Sequence, residues 1–361
     1  MNNGDNKRGG LFEGKRILVT GGTGSLGKVL VRRLLTGECG RPESITIFSR
    51  DEAKQYDMRL VFNDLAAATE EVIYRDSDDI LRFRIGDVRD YASISSALGK
   101  ADVVFNAAAL KQVPTCEFFP YEAVQTNVLG AENIVCSIEQ LGLPVETVIG
   151  ISTDKACKPV NVMGMSKAIQ ERVFISANLR CPGTRFLCAR YGNVLASRGS
   201  VIPLFHAQIK AGGPVTITTN DMTRFLLSLN QAVDTILDAY HLGRVGETFI
   251  PRIASSLMTT VADCLINGRP VERIEVGIRP GEKIHEILVS EDEAYRTVAR
   301  ANYYVIKPIL PELVADQGEP AALDGEYTSR TEIMSAEDTR RILRENHLTL
   351  EDEPDFSKLF G

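Results

Sequence analysis

Tryptophan is absent from these 361 residues, and histidine occurs four times. His206, His241, His285 and His347 each lack a second His or a Cys at zinc-ligand spacing, so the sequence offers no metal motif. No stretch is apolar for long enough to cross a bilayer, which speaks against a membrane role. The opening MNNGDNKRGG has no apolar core and is not a signal peptide; it is expected to fray. Positive charge is in deficit, with 41 Lys and Arg against 48 Asp and Glu and a net charge of −7. Nucleic-acid binding, which needs a basic face, is therefore a poor default. Seven cysteines, an odd number with no C-x-x-C pair, read as reduced thiols. Together these absences predict a cytoplasmic protein.

Ordinary apolar content, 44%, and charged content, 25%, fill the remainder. The first half alternates short Ile- and Val-rich runs with helical patterns. The runs are 16–20, 44–49, 81–86, 102–107 and 147–152, apolar at nearly every position, as suits strands buried on both faces. Helices are predicted over 26–35, 52–63, 91–98, 121–141 and 166–179, and a further strand over 186–191. This βαβ alternation predicts an α/β fold with a doubly wound parallel sheet. Residues 65–79 read as a surface insertion and 308–330 as loop. A last helix is predicted from Ser335, where Ser335-x-x-Asp338 has capping-box form.

The first run ends in Thr20-Gly21-Gly22-Thr23-Gly24-Ser25-Leu26-Gly27. Glycines at this spacing let a backbone approach a pyrophosphate, and the next helix presents free N–H groups and a positive dipole end. Gly21, Thr23, Gly24, Ser25, Leu26 and Gly27 are the candidate dinucleotide cradle, since they follow a strand and open a helix. The second run ends in Ser49-Arg50-Asp51, with Lys54 close by. NAD binders usually place an acid here for the ribose hydroxyl; Ser49, Arg50 and Lys54 suit a 2′-phosphate, so NADP is preferred, with NAD through Asp51 as the alternative. Asp87 and Val88 end the third run, Asp87 at the adenine. Ala107, Ala108 and Ala109 follow the fourth, where small residues let a cofactor lie against backbone.

The segment Ile151–Lys167, ISTDKACKPVNVMGMSK, joins an acid and a base at Asp154-Lys155, preceded by Thr153, on a loop leaving a strand. Open α/β sheets place ligands there. Four residues before Lys167, where many nucleotide-sugar enzymes carry a tyrosine, stands Met163. A thioether holds no proton, so Met163 reads either as a replacement of the phenol within a still-active catalytic position or as core packing.

TGGTGSLG, SRDE, GDVRD, NAAALKQVP, STDK, RYGNV, MTRF and RPGEK, in this order, resemble the extended short-chain dehydrogenase/reductase family. Within it the chain is similar to soluble UDP-N-acetylglucosamine 4,6-dehydratases, especially the C5-inverting, capsule-type enzymes, over about Gly14 to Ser290. The resemblance implies a Rossmann domain with a smaller C-terminal substrate-binding lobe: 11–195 for the NADP-binding domain with 228–252 returning to it, 196–227 and 253–345 for the lobe, and 1–10 and 346–361 as tails. It also implies a reaction. Tightly bound NADP takes hydride from sugar C4, water leaves across C5 and C6, and hydride returns to C6, for surface polysaccharide synthesis. Lys155 is then the C5 base and Asp154 the C6 acid, the first neutral and the second protonated, so the two should not form a tight ion pair in the competent state. The C4 hydroxyl proton falls to Thr153, Lys155, Lys167 or a water. Lys167 contacts the nicotinamide ribose, and Tyr191, Asn193 and Val194 cover the nicotinamide. Lys111 reaches cofactor and sugar, and Asn193, Arg198 and Ser200 face substrate. Arg224 and Arg279 are diphosphate candidates, because planar guanidinium groups grip such anions bidentately, and Glu282 suits a ribose hydroxyl. Relatives form hexamers or dimers, so a homo-oligomer is expected. A UDP-sugar epimerase or reductase on the same fold and a non-catalytic NADP-binding sensor are the competing readings.

Overall fold

A computed structural model describes residues 8–68, 80–195, 200–315 and 318–354, with 63–68 in backbone only. The chain lays down β1 (Arg16–Thr20), β2 (Ser44–Ser49), β3 (Leu81–Ile85), β4 (Val103–Asn106), β5 (Thr147–Thr153) and β6 (Arg185–Tyr191), with helices between them. It then departs to form β7 (Val215–Ile217) and β8 (Thr223–Phe225), and returns through the helix Leu229–Leu242 to β9 (Thr248–Pro251). A second departure makes β10 (Ser255–Leu257), β11 (Arg273–Glu275) and β12 (Ile287–Val289). The chain comes back with β13 (Thr297–Arg300) and β14 (Tyr303–Ile306) and leaves again for β15 (Tyr327–Thr328). Nine strands form the main sheet in the order β13-β14-β9-β6-β5-β4-β1-β2-β3. Those from β9 to β3 are parallel, and β14 and β13 are antiparallel. The doubly wound sheet is as the apolar runs predict.

Leu18, Val104, Val148, Phe186 and Phe174 pack on one face of this sheet. Ile17, Ile45, Phe105, Ile149 and Ile236 pack on the other. The lobe has its own core, including Phe205, Val215, Val261, Leu265 and Leu343. Its strands pair β8 with β10, β7 with β11 and β12 with β15.

Several boundaries differ from expectation. β13 and β14 fall within the stretch assigned to the lobe, yet they extend the main sheet. Tyr303 and Val305 are buried there, and β14 pairs along β9, which would otherwise be an open edge. The C-terminal tail does not begin at 346: Leu348 and Leu350 are buried in the lobe core, and the Leu348 carbonyl meets the His206 ring at 2.8 Å. Near the N-terminus, Arg8 grips Asp234 and Asp238 at 2.7 Å, so the chain is already pinned at that residue. The helix Glu52–Ala68 takes in the start of the expected insertion, and 69–79 lie outside the described residues. Within 308–330, β15 forms in the expected loop. Ser335 caps the last helix, Ala336–Glu345, through the Asp338 N–H.

The predicted helix 121–141 is broken up. After a separate short helix Val113–Phe118, it runs as Pro120–Ala123, a π-helical turn Val124–Leu129, and Gly130–Leu141. Pro120 opens its own short helix, having no N–H to continue the previous one. In the π turn Asn127 faces inward. Its amide brackets both backbone groups of Leu110 (2.8 and 3.0 Å) and reaches Ser166 Oγ at 2.9 Å. The loop after β4 is thereby tied to the helix that carries Met163 and Lys167.

Candidate active site

The glycine turn after β1 is built for close approach. Gly21 has φ of +65°, and a Cβ there would lie 2.7 Å from the Ala108 nitrogen. At Gly27 a Cβ would meet the Gly22 backbone at 2.5 Å. Gly24 caps the helix Ser25–Leu35 without a side-chain hydrogen bond, so the first N–H groups remain available to an anion. Ala107, Ala108 and Ala109 line the next strand end, all half-buried. Thr23 is buried, Ser25 and Leu26 half-buried. These residues fit a dinucleotide pyrophosphate.

At the end of β2 the expected phosphate contacts separate. Ser49 is buried, and its hydroxyl accepts from Gln55 Nε2 at 3.0 Å, while the same amide serves the Ser49 and Arg84 carbonyls. Lys54 is engaged with Asp51 at 2.9 Å. Arg50 keeps a half-exposed guanidinium 3.7 Å from Asp87. Burial opposes the charge on Asp87, but Arg89 and Arg50 hold its carboxyl below the usual range. Val88 points into the core against Gly130, so only its backbone can face a ligand.

The polar cluster beyond β5 is the most concentrated chemistry in the chain. Asp154 is fully buried, its Oδ1 accepting from Thr153 Oγ1 (2.8 Å) and Lys155 Nζ (3.0 Å). Asp154 Oδ2 has no hydrogen-bond partner among the described residues. Glu286, also buried, stands 3.5 Å from Lys155 Nζ and 3.6 Å from Arg224 Nε. Burial pushes the Lys155 ammonium down, but Asp154 and Glu286 outweigh it and hold the group above its ordinary value. In this structure, then, the acid and base form the close ion pair that the competent state was expected to avoid. The reason is that the adjacent Asp154, with Glu286 behind it, outweighs burial and keeps the ammonium charged.

The loop is locked from behind. A Cβ on Gly164 would overlap the Lys155 carbonyl oxygen, so only glycine lets the helix Val162–Arg180 start against this turn. Asn161 caps that helix through Gly164 N–H and donates to the Gly281 carbonyl at 2.8 Å. Met163 is buried with Cys116 and Ala123, a packing role. Lys167 is buried too, and its ammonium is bonded to Gln170 Oε1 at 2.7 Å. Burial pushes it down to about 8. A lysine lowered from 10.5 to about 8 leaves the unfolded chain with more bound protons between those values. Stability should therefore rise as pH climbs from about 8 toward 10.5. Urea midpoints should show this rise in the native chain and a flatter profile in Lys167→Met.

The substrate candidates divide. Arg224 donates to the carbonyls of Thr223 (2.7 Å), Ile284 (3.0 Å) and Lys283 (2.9 Å), so its guanidinium builds the loop rather than standing open to a diphosphate. Arg279 is 61% exposed and 4.0 Å from Glu282, whose Oε2 is buried without a partner among the described residues. Asn193 Oδ1 and Ser200 Oγ are likewise buried and unpartnered. Tyr191 is buried at the end of β6, and Val194 bridges to Leu227. Lys111 is exposed after β4, and Arg198 lies outside the described residues. Sequence reading missed Glu286, Gln55 and Gln170. Nothing in the sequence position of Glu286 says that it reaches Lys155.

Comparison with known proteins places this geometry. The family described as polysaccharide biosynthesis protein matches residues 17–308. A UDP-glucose 4-epimerase of Rickettsia prowazekii is 42% identical over 344 residues, 92% of this chain and 96% of that protein. The protein of the same name from Rickettsia typhi is 46% identical over 301 residues, 82% and 84% of the two chains. Among solved structures, Pen from Bacillus thuringiensis superposes with a TM-score of 0.82 at 32% identity, covering 93% of this chain and 99% of its own. DesIV, a dTDP-glucose 4,6-dehydratase from Streptomyces venezuelae solved with NAD and TYD, shares the fold with a TM-score of 0.63 at 21% identity, covering 74% and 86%. The chain thus belongs to the polysaccharide biosynthesis protein family and carries the fold of the extended short-chain dehydrogenases/reductases.

Proposed function

We propose that the protein is an NADP-dependent UDP-N-acetylglucosamine 4,6-dehydratase that inverts C5, acting for surface polysaccharide synthesis. The observation that carries this reading is the buried Asp154–Lys155 contact at the end of β5, with packed Met163 where a phenol would stand. A 4-epimerase needs one group to take and return the proton at O4. Dehydration also needs a base for the C5 proton, acidic once C4 is a ketone, and an acid for the departing C6 hydroxyl. A bound nicotinamide nucleotide would supply hydride acceptance at C4 and hydride return at C6.

The ion pair holds both groups one proton transfer from the required forms. Moving the Lys155 proton across the 3.0 Å contact to Asp154 gives a neutral amine and a carboxylic acid together. Lys155 then removes the C5 proton, and Asp154, through the oxygen it donates from, protonates the C6 hydroxyl as it leaves. Lys167, poised at about 8, is able to exchange a proton near neutral pH, and shares the O4 role with Thr153, Lys155 and water as candidates. Arg279 suits the diphosphate, and Glu282 a ribose hydroxyl.

Proton NMR of the purified protein with UDP-N-acetylglucosamine in deuterated water tests this. A new C6 methyl signal with deuterium at C5 supports dehydration, and ring couplings report the C5 configuration. The names of the Rickettsia relatives favour a second reading, a UDP-glucose 4-epimerase. It would give a 4-epimer with C6 oxygen retained and no methyl signal. For the cofactor, Arg50→Ala should weaken NADP binding about tenfold, as the loss of one charge-assisted contact, and leave NAD binding nearly unchanged. Fluorescence titration of the reduced nucleotides reads both.

A further inference from the structure

Glu286 is a buried acid whose place is fixed from several sides. Its N–H donates to Ser329 Oγ (2.9 Å), and its carbonyl accepts from Ser329 N–H (2.8 Å). The residues just before it are held by the Arg224 guanidinium, through the Ile284 and Lys283 carbonyls. β12 follows directly and is paired to β15. These bonds fix the backbone from which the buried carboxylate reaches toward Lys155. Its Oε1 faces Lys155 Nζ at 3.5 Å and Arg224 Nε at 3.6 Å, and its Oε2 has no partner among the described residues.

The charges around Lys155 come from four places. Asp154 precedes it on the turn after β5, and Glu286 and Lys283 come from the segment before β12. Arg224 stands on β8, and the Cys157 thiol lies two residues on. Lys283 is turned toward the Cys157 carbonyl at 2.6 Å. Asp154 and Glu286 are therefore the two anions on the ammonium. They are not equivalent, because the proposed reaction converts Asp154 to its neutral acid. Glu286 then remains the fixed anion beside Lys155.

We infer that Glu286 is a positioning residue for Lys155, holding its amine in place from the substrate lobe and supplying the negative charge against which it becomes an ammonium on taking the C5 proton. This rests on the proposed role of Lys155 as base. The same charge raises the basicity of the amine, so it also sets the pH above which the Asp154–Lys155 pair loses its one proton.

The test is the pH dependence of turnover, read as C6 methyl formation from UDP-N-acetylglucosamine, in the full chain loaded with NADP. In Glu286→Gln, the pH at which the falling alkaline limb sets in, where the Asp154–Lys155 pair loses its one proton, should move down by about one unit or more, the size expected for losing a nearby opposite charge. The plateau rate should fall and KM should stay within about twofold, as for an interaction not made with the ground-state substrate. A variant that is slower but turns down at the native alkaline pH overturns the inference, since loss of packing alone does not move a titration. Glu286→Asp draws the charge back by one methylene and should shift the profile in the same direction by less. If Glu286→Gln does not fold, Glu286→Asp decides, and an unmoved profile there also overturns the inference. Lys155→Ala separates the two ideas. Full turnover by Lys155→Ala sinks the base assignment itself, whereas its inactivity beside an unmoved Glu286→Gln profile sinks only the role given to Glu286.

Discussion

Lys155→Ala should slow formation of the 4-keto-6-deoxy product by ~10²–10⁴-fold, the range for removing a positioned general base. The loss should fall on one bond. Deuterium should no longer wash into C5, and a single turnover of reduced-cofactor absorbance should persist if Thr153, Lys167 or water takes the O4 proton and vanish if Lys155 does. Asp154→Asn should behave differently. Lys155 then has no Asp154 to take its proton, so C5 exchange with solvent should persist only at the alkaline pH that frees the amine, with elimination of the C6 hydroxyl lagging behind it. Mass spectrometry of recovered substrate would show deuterium gained without water lost. Equal loss of both steps in both variants would count against separate roles.

Arg190→Ala should be the most destabilising single change. Arg190 is buried between two buried acids, meeting Glu171 at 2.9 and 2.6 Å and Glu293 at 2.8 and 2.9 Å. Removing it strands both carboxylates, and breaking a buried pair in this way costs about 3–5 kcal/mol. Urea unfolding would read the loss, and Arg190→Met, which restores volume but not charge, should recover little of it. The pH dependence has a definite sign. Burial pushes the Glu293 carboxyl up, but Arg190 outweighs it and holds it near about 2, against an ordinary 4.5. The stabilisation is fully present above 4.5 and is lost as pH falls toward about 2. Arg190→Ala should unfold at higher pH than the native chain.

Much of the sheet was legible because its strands are covered on both faces. Continuous apolar runs located β1 and β2 to the residue and β3 to β6 within one residue at each end. The glycine turn was legible for the same kind of reason: a backbone that must pass within contact of another backbone excludes a Cβ, and Gly21 and Gly27 record that exclusion. Asp154 and Lys155 were visible as neighbours. What could not be read was their third partner, since Glu286 arrives from a segment over a hundred residues away through tertiary packing alone. The three carbonyls that Arg224 satisfies could not be foreseen, because in a sequence an arginine looks the same whether it awaits an anion or builds the backbone around it. β13 and β14 were hidden by their length, four residues each, and by a position after the lobe had begun.

The antiparallel pair β13–β14 also governs how the chain can be handled. β14 covers the outer edge of β9, and the nearby Glu293 completes the partners of Arg190. A fragment ended near Ser290, where the family-like motifs stop, would keep the glycine turn, Lys155 and Glu286, yet expose an unpaired strand of Thr248–Pro251 and leave Arg190 half-satisfied. Such an edge is a template for intermolecular pairing. The cofactor domain is thus not a severable module, and expression trials that cut between the domains should yield aggregate rather than a soluble nucleotide-binding half.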